Sequence, residues 1–211
     1  MYSVLDLDTW PRKATYEFFK NYQDPFFNFT ANVDITRAHK FAKANSLRWS
    51  LTALFCSLSA ANAIREFRIR QIDGELVEFD RIHATQTILN EDETFSFAYF
   101  DFQDDLREFE SSGRAALDKY QAMRTFAVER DRFDLIYHSV IPWVSFTSFK
   151  HASKLDNSFT IPRVVFGKIF DQAGAKLMPL SVEVNHKIMD GIHVGKFFLG
   201  FQAALDRLAD Q

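Results

Sequence analysis

The chain has 211 residues, 47% of them hydrophobic and 25% charged, with a formal net charge of −3, which suits one globular domain, 1–211, with a sizeable core. No basic run or zinc-finger spacing marks a nucleic-acid binder, and a single cysteine, Cys56, excludes an internal disulfide framework. The most apolar run, Leu51 to Ile64, is broken by Thr52, Ser57, Ser59 and Asn62, which excludes a membrane span. The polar start MYSVLDLDTW does not read as a secretory signal and places the protein in the cytoplasm. Twenty-four phenylalanines against seven glycines and five prolines are more than a core needs, which points to an aromatic pocket or a subunit interface.

In chain order, Asp8-Thr9-Trp10-Pro11 predicts a helix start, with Asp8 or Thr9 as cap, and a helix over Pro11 to Asn21. Phe26 to Val33 alternates as a strand, and Asp34-Ile35-Thr36 caps a short helix to Asn45. Leu47 to Glu66 reads as a core helix buried on more than one face. Strands over Phe67 to Ile72 and Glu75 to Asp80 flank Asp73-Gly74, a hairpin turn signal. Further strands are expected over Ile82 to Leu89 and Thr94 to Phe100, then a helix over Gln103 to Glu129 with a break at Gly113. The rest reads as strands over Leu135 to Ile141, Trp143 to Phe149, Val164 to Phe170 and Lys176 to His186, with a turn at Asp171 to Gly174 and a helix from His193 to Ala209. Helices interleaved with antiparallel hairpins predict an α+β, two-layer sandwich: a mixed β-sheet covered by helices.

Chemistry concentrates in Leu180 to Phe198, where His186, Asp190 and Gly191 occupy a strand end and the turn into the last helix. A neutral imidazole there can take a proton from a hydroxyl near pH 7; a histidine in a hydrophobic strand can equally be a satisfied structural residue. Asp190 could fix the loop, and Arg12, on a helix of core-like residues, needs a carboxylate partner, for which Asp190 is the obvious choice. Within Pro142 to Phe149, PWVSFTSF, Ser148 is a candidate donor to an oxyanion, although hydroxyls in strands commonly bond the backbone. No Gly-x-Ser-x-Gly elbow supports a serine hydrolase, and Cys56 lies on the buried helix. His39, His83 and His151 are expected to face solvent, His138 is undetermined, and His186 and His193 alone make no metal site.

Trp10-Pro11-Arg12-Lys13 with Tyr16-Glu17-Phe18, Asn32 to Thr36, Glu93 to Ser96, PWVSFTSF and LMPLSVEVNHKIMDGIHVGKFF occur in an order that resembles the chloramphenicol acetyltransferase family of the classical trimeric type over almost the whole chain. The resemblance implies a CoA-dependent acyltransferase fold and direct acetyl transfer from acetyl-CoA, the co-substrate, to a hydroxyl of chloramphenicol, without a metal. It makes His186 the general base, Ser148 the oxyanion donor and Arg12 with Asp190 the structural support, with Phe18, Phe19 and Val165 in the acceptor site. It also implies a homotrimer whose active sites lie between subunits. Three positions depart from the family. Asn185 precedes His186 where the family pairs two histidines, Phe19 stands for a tyrosine that contacts the drug, and Val165 for a threonine that binds a water. Loss of a polar group can shift preference to a more apolar alcohol. The same fold with another hydroxyl or thiol acceptor, such as dihydrolipoamide, and a catalytically weak binding protein are the alternatives.

Overall fold

A computed structural model describes residues 1–123, 126, 128, 129, 131–152 and 158–210. Its main sheet has the strand order β2-β10-β8-β7-β5-β6. The strands are β2 (Phe26–Asp34), β5 (His83–Leu89), β6 (Phe95–Phe100), β7 (Leu135–Ile141), β8 (Arg163–Gly167) and β10 (Ala175–Asn185). β5–β7 and β7–β8 are parallel and the other pairs antiparallel, so the sheet is mixed. A short strand β9 (Phe170–Gln172) also pairs β10. Every residue of β10 from Met178 to Asn185 is buried, because neighbours flank both its edges and material covers both its faces.

Among the described residues there are five α-helices, α1 (Lys13–Phe19), α2 (Thr36–Ala44), α3 (Trp49–Asn62), α4 (Leu106–Met123) and α5 (Gly191–Ala209), of which α2 to α5 form the second layer. α3 is buried almost all round, between α4, α5 and the sheet, which is why its sequence shows no polar stripe. Rings of α5 interleave with the core: Phe197 stacks on Phe67 at 4.9 Å, and Phe201 on Phe166 at 6.1 Å. α4 is unbroken at Gly113. A Cβ there would stand 2.8 Å from Leu51 Cδ2, so the glycine permits close helix packing.

The Asp73-Gly74 hairpin forms, both residues at positive φ, between β3 (Ile69–Ile72) and β4 (Glu75–Phe79). It belongs to a separate three-stranded sheet whose third member, β1 (Tyr2–Val4), the sequence pattern did not reveal. Arg70 ties this sheet to the main one. Its fully buried guanidinium donates to the carbonyls of Phe67, Ile69, Phe133 and Leu135, and burial pushes its pKa down to about 9.

Several predicted boundaries move. The helix expected to start at Pro11 begins at Lys13, and Thr9 bonds Asp6 instead of capping it. The core helix ends at Asn62 and is followed by a 3₁₀ turn, Arg65–Arg68. The strand expected over Val164 to Phe170 is split into β8 and β9. The strand expected over Trp143 to Phe149 does not form: β7 ends at Ile141, Pro142 offers no N–H, and both edges of β8 are occupied. Pro142 to Lys150 runs without regular structure, tied by a bond from Lys168 N–H to the Val144 carbonyl. No described helix is long and apolar enough to cross a membrane.

Candidate active site

The sheet has two unlike faces. Side chains of Val182, Val184, Phe166 and His138 point to the helices, while Ser181, Glu183, Arg163, Tyr137 and Thr85 alternate onto the other face. His186 lies just past the end of β10, beside the edge strand β2, where its N–H donates to the Pro25 carbonyl at 2.8 Å. Its ring is stacked on Phe19, centroids 4.1 Å apart and planes at 12°, and touches Phe27 at 4.6 Å. Phe19 therefore positions the imidazole, a role its aromatic ring serves without a hydroxyl.

Arg12 organises the turn that follows. Nε donates to the Ile188 carbonyl at 2.9 Å, Nη2 to the His186 carbonyl at 3.3 Å, and Nη1 pairs with Asp190 Oδ2. Asp190 Oδ1 stands 3.2 Å from His186 Nδ1. Desolvation above all, aided by the Arg12 charge, holds the His186 pKa below that of a free histidine, against an opposing pull from its own backbone and that of Met189. That shift favours the neutral imidazole, the form that accepts a proton.

Two residues the sequence did not single out for this role complete the turn. Asp190 N–H donates to His193 Nδ1 at 2.8 Å, and His193 Nε2 lies 3.4 Å from Glu66 Oε1. Because Nδ1 accepts, the proton sits on Nε2 and points at the carboxylate. The hydrogen bond from His193 holds Glu66 down to about 2, against burial. His193 carried a signal in its place one turn into the last helix; Glu66, on the 3₁₀ turn, carried none.

Two of the cavities that border the sheet bear on the site. One of about 310 Å³ opens on the helix side beyond the ends of β7 and β8, between Trp49, Phe166, Met178 and Lys168. The other, about 540 Å³, lies on the opposite face, with Phe26, Phe97 and Phe159 as walls and Arg163 and His151 among its polar groups. Pro142 lines the first cavity and His151 the second, so the irregular segment carrying Ser148 runs from one to the other. Ser148 is exposed and on no strand. None of the ring and ion-pair contacts of His186 involves it. Phe18 is 63% exposed, and Val165 is wholly buried between Ser139 and Ser181 and lines neither cavity.

The other histidines correct the expectation of solvent exposure. His39 packs on Trp49 at 5.2 Å, His83 Nδ1 accepts from Phe102 N–H, and His151 Nδ1 is 3.5 Å from Glu183; all three are half-buried. His138 is enclosed, bonded to Ser57 at 2.9 Å, with burial pushing it down to about 3. Cys56 is buried too, its thiol pushed up to about 12, so it is no nucleophile.

A mixed sheet covered by helices on one face is the fold of the CoA-dependent acyltransferases, shared with solved members of that class. The dihydrolipoamide acetyltransferase of Azotobacter vinelandii shares that fold at a TM-score of 0.66 and 16% identity, over 94% of this chain and 86% of that one. The chain itself belongs to the chloramphenicol acetyltransferase family, whose model matches residues 1–202. It is 32% identical to a chloramphenicol acetyltransferase of Escherichia coli, over 97% of this chain and 94% of that protein. A solved chloramphenicol acetyltransferase superposes with a TM-score of 0.92 at 28% identity, covering 97% of this chain and all of the other.

Proposed function

We propose that the protein, one acetyltransferase domain over 1–211, transfers the acetyl group of acetyl-CoA directly to a hydroxyl of chloramphenicol, as a homotrimer in the cytoplasm. His186 Nε2 takes the hydroxyl proton as the oxygen attacks the thioester carbonyl. A C–O bond forms, and the negative charge gathers on the former carbonyl oxygen, where Ser148 donates a hydrogen bond. Collapse breaks the C–S bond, and the departing thiolate takes the proton back from the imidazolium, leaving the acetyl ester and free CoA. A positioned base contributes typically 10²–10⁴-fold and an oxyanion donor about 10²–10³-fold.

The observation that carries this reading is His186 at the sheet edge, its ring stacked on Phe19 and its carbonyl held by Arg12, with Asp190 beside it. His186 sits on the helix-side face with Phe27, whereas the larger cavity lies on the other face. One chain therefore does not aim its base into its own cavity. A second copy bringing its cavity to this edge completes the site, which supports the trimer. The smaller cavity, with an indole, an apolar wall and the Lys168 ammonium, suits a nucleotide-bearing thioester, and the Ser148 segment links it to the acceptor side.

The test is CoA-thiol release from acetyl-CoA, with and without chloramphenicol, beside a His186→Ala variant, with the mass of the assembly measured by sedimentation. Release that requires both the drug and His186 supports the reading; activity of the variant within about tenfold of the parent sinks it. A second reading, the same chemistry on a more apolar alcohol or on a thiol, is favoured by Phe19, which offers no hydroxyl beside the His186 ring. Faster turnover of another acceptor in a panel would replace chloramphenicol.

A further inference from the structure

Arg163 is, among the described residues, the one arginine, lysine, aspartate or glutamate in the wall of the 540 Å³ cavity. Its guanidinium lies 4.9 Å from the ring centroid of Phe26 and 4.8 Å from that of Phe159. Nη1 donates to Glu183 Oε1 at 2.5 Å, across the β8–β10 register that sets the two residues opposite one another. Glu183 is enclosed and also meets the His151 ring and backbone N–H, each at 3.5 Å. The cation is thus fixed in place and its charge already neutralised.

A guanidinium has five N–H donors, and among the described residues only the bond to Glu183 engages them. A ligand that fills the cavity removes water from the rest. An apolar ligand leaves buried donors unmet, which is costly, most of all for a charged group. A carboxylate would meet the donors but bring a second negative charge toward Glu183. A neutral, planar oxygen acceptor meets the donors and adds no charge.

We propose that Arg163 is a specificity-determining residue, selecting aromatic acceptors that carry a nitro or carbonyl oxygen over apolar and anionic counterparts. This rests on the larger cavity being the acceptor site of the proposed reaction. The test is calorimetric binding, without acetyl-CoA, of four phenylpropanediols that differ only in the para substituent: nitro, acetyl, methyl or carboxylate. Each is titrated into the parent and into the double variant Arg163→Met/Glu183→Gln, which removes the pair without stranding either charge.

The parent is expected to bind the nitro and acetyl ligands roughly 10- to 100-fold more tightly than the methyl ligand, with carboxylate behind nitro, and the variant to compress the range to about threefold. Equal binding of nitro and methyl by the parent, preference for carboxylate, or no binding of any member overturns the assignment. So does a folded variant that keeps the parent ranking. If the variant does not fold, the parent ranking alone decides. CoA release with the four parallel ligands separates the claims. Turnover without discrimination removes only Arg163, and discrimination without turnover removes only the proposed reaction.

Discussion

Replacing Glu66 with glutamine tests whether the carboxylate behind His193 stiffens the His186 turn. The hydrogen bond from His193, the largest influence, holds Glu66 down to about 2 from its usual 4.5. At about 1.36 kcal/mol per factor of ten in proton affinity this converts to about 3 kcal/mol. Glu66 keeps a fifth of its side chain exposed, so solvent screening brings the expectation to about 2 kcal/mol. The folded-state value lies below the unfolded one, so this stability is fully present above pH 4.5 and lost as pH falls toward 2. Urea unfolding at pH 7 and again near pH 3 measures it. Glu66→Gln should lower the unfolding free energy by about 2 kcal/mol at neutral pH and by less in acid. With the turn loosened, kcat should fall roughly tenfold at nearly unchanged KM. His193→Asn, whose amide oxygen can still accept from Asp190 N–H but which no longer reaches Glu66, should lose kcat about as Glu66→Gln does and less than His193→Ala. A Glu66→Gln variant within about 0.5 kcal/mol of the parent, or one with the parent's kcat, would refute the buttress.

Three further outcomes are expected. With His186 depressed by desolvation, kcat/KM should be full at neutral pH and fall in acid through a value below 6.5; an acid limb at or above 6.5 in a pH–rate profile contradicts this. Arg70→Met should cost about 3 kcal/mol or more in urea unfolding, since four carbonyls lose their donor, and a loss under about 1 kcal/mol would show that water replaces it. His138 takes up a proton at about 3 when folded and near 6.5 when unfolded, so the unfolded chain binds more protons between those values and stability rises with pH there, by up to about 4–5 kcal/mol. The double variant Ser57→Ala/His138→Leu should flatten that slope, and an unchanged slope assigns it elsewhere.

The pairing of Arg12 with Asp190 beside His186 was legible because the aspartate and histidine share a short local pattern and the arginine is a cation among core-like residues. Hydrophobic period 2 found the main-sheet strands, and Asp73-Gly74 announced its hairpin. What failed was long-range information. PWVSFTSF has the composition of a strand, yet the topology leaves no free edge for it. Gly113 reads as a helix breaker until Leu51 is seen against it. Tyr2 to Val4 is too short and exposed to register as a strand before β4 offers it a partner. Glu66 and Arg163 owe their places to partners distant in sequence, His193 and Glu183.

Arg12 has a consequence for synthesis and for engineering. The guanidinium that fixes the His186 turn comes from the residue just before α1, near one end of the described chain, and the turn itself leads into α5, near the other. A nascent chain cannot set the His186 turn until α5 has emerged and found a segment made much earlier. A fusion or a proteolytic nick that disturbs the docking of α1 should therefore silence the enzyme while leaving the sheet and the α3–α5 core intact. Split between two fragments near the surface of α4, the same chain would report their reassembly by the return of acetyl transfer.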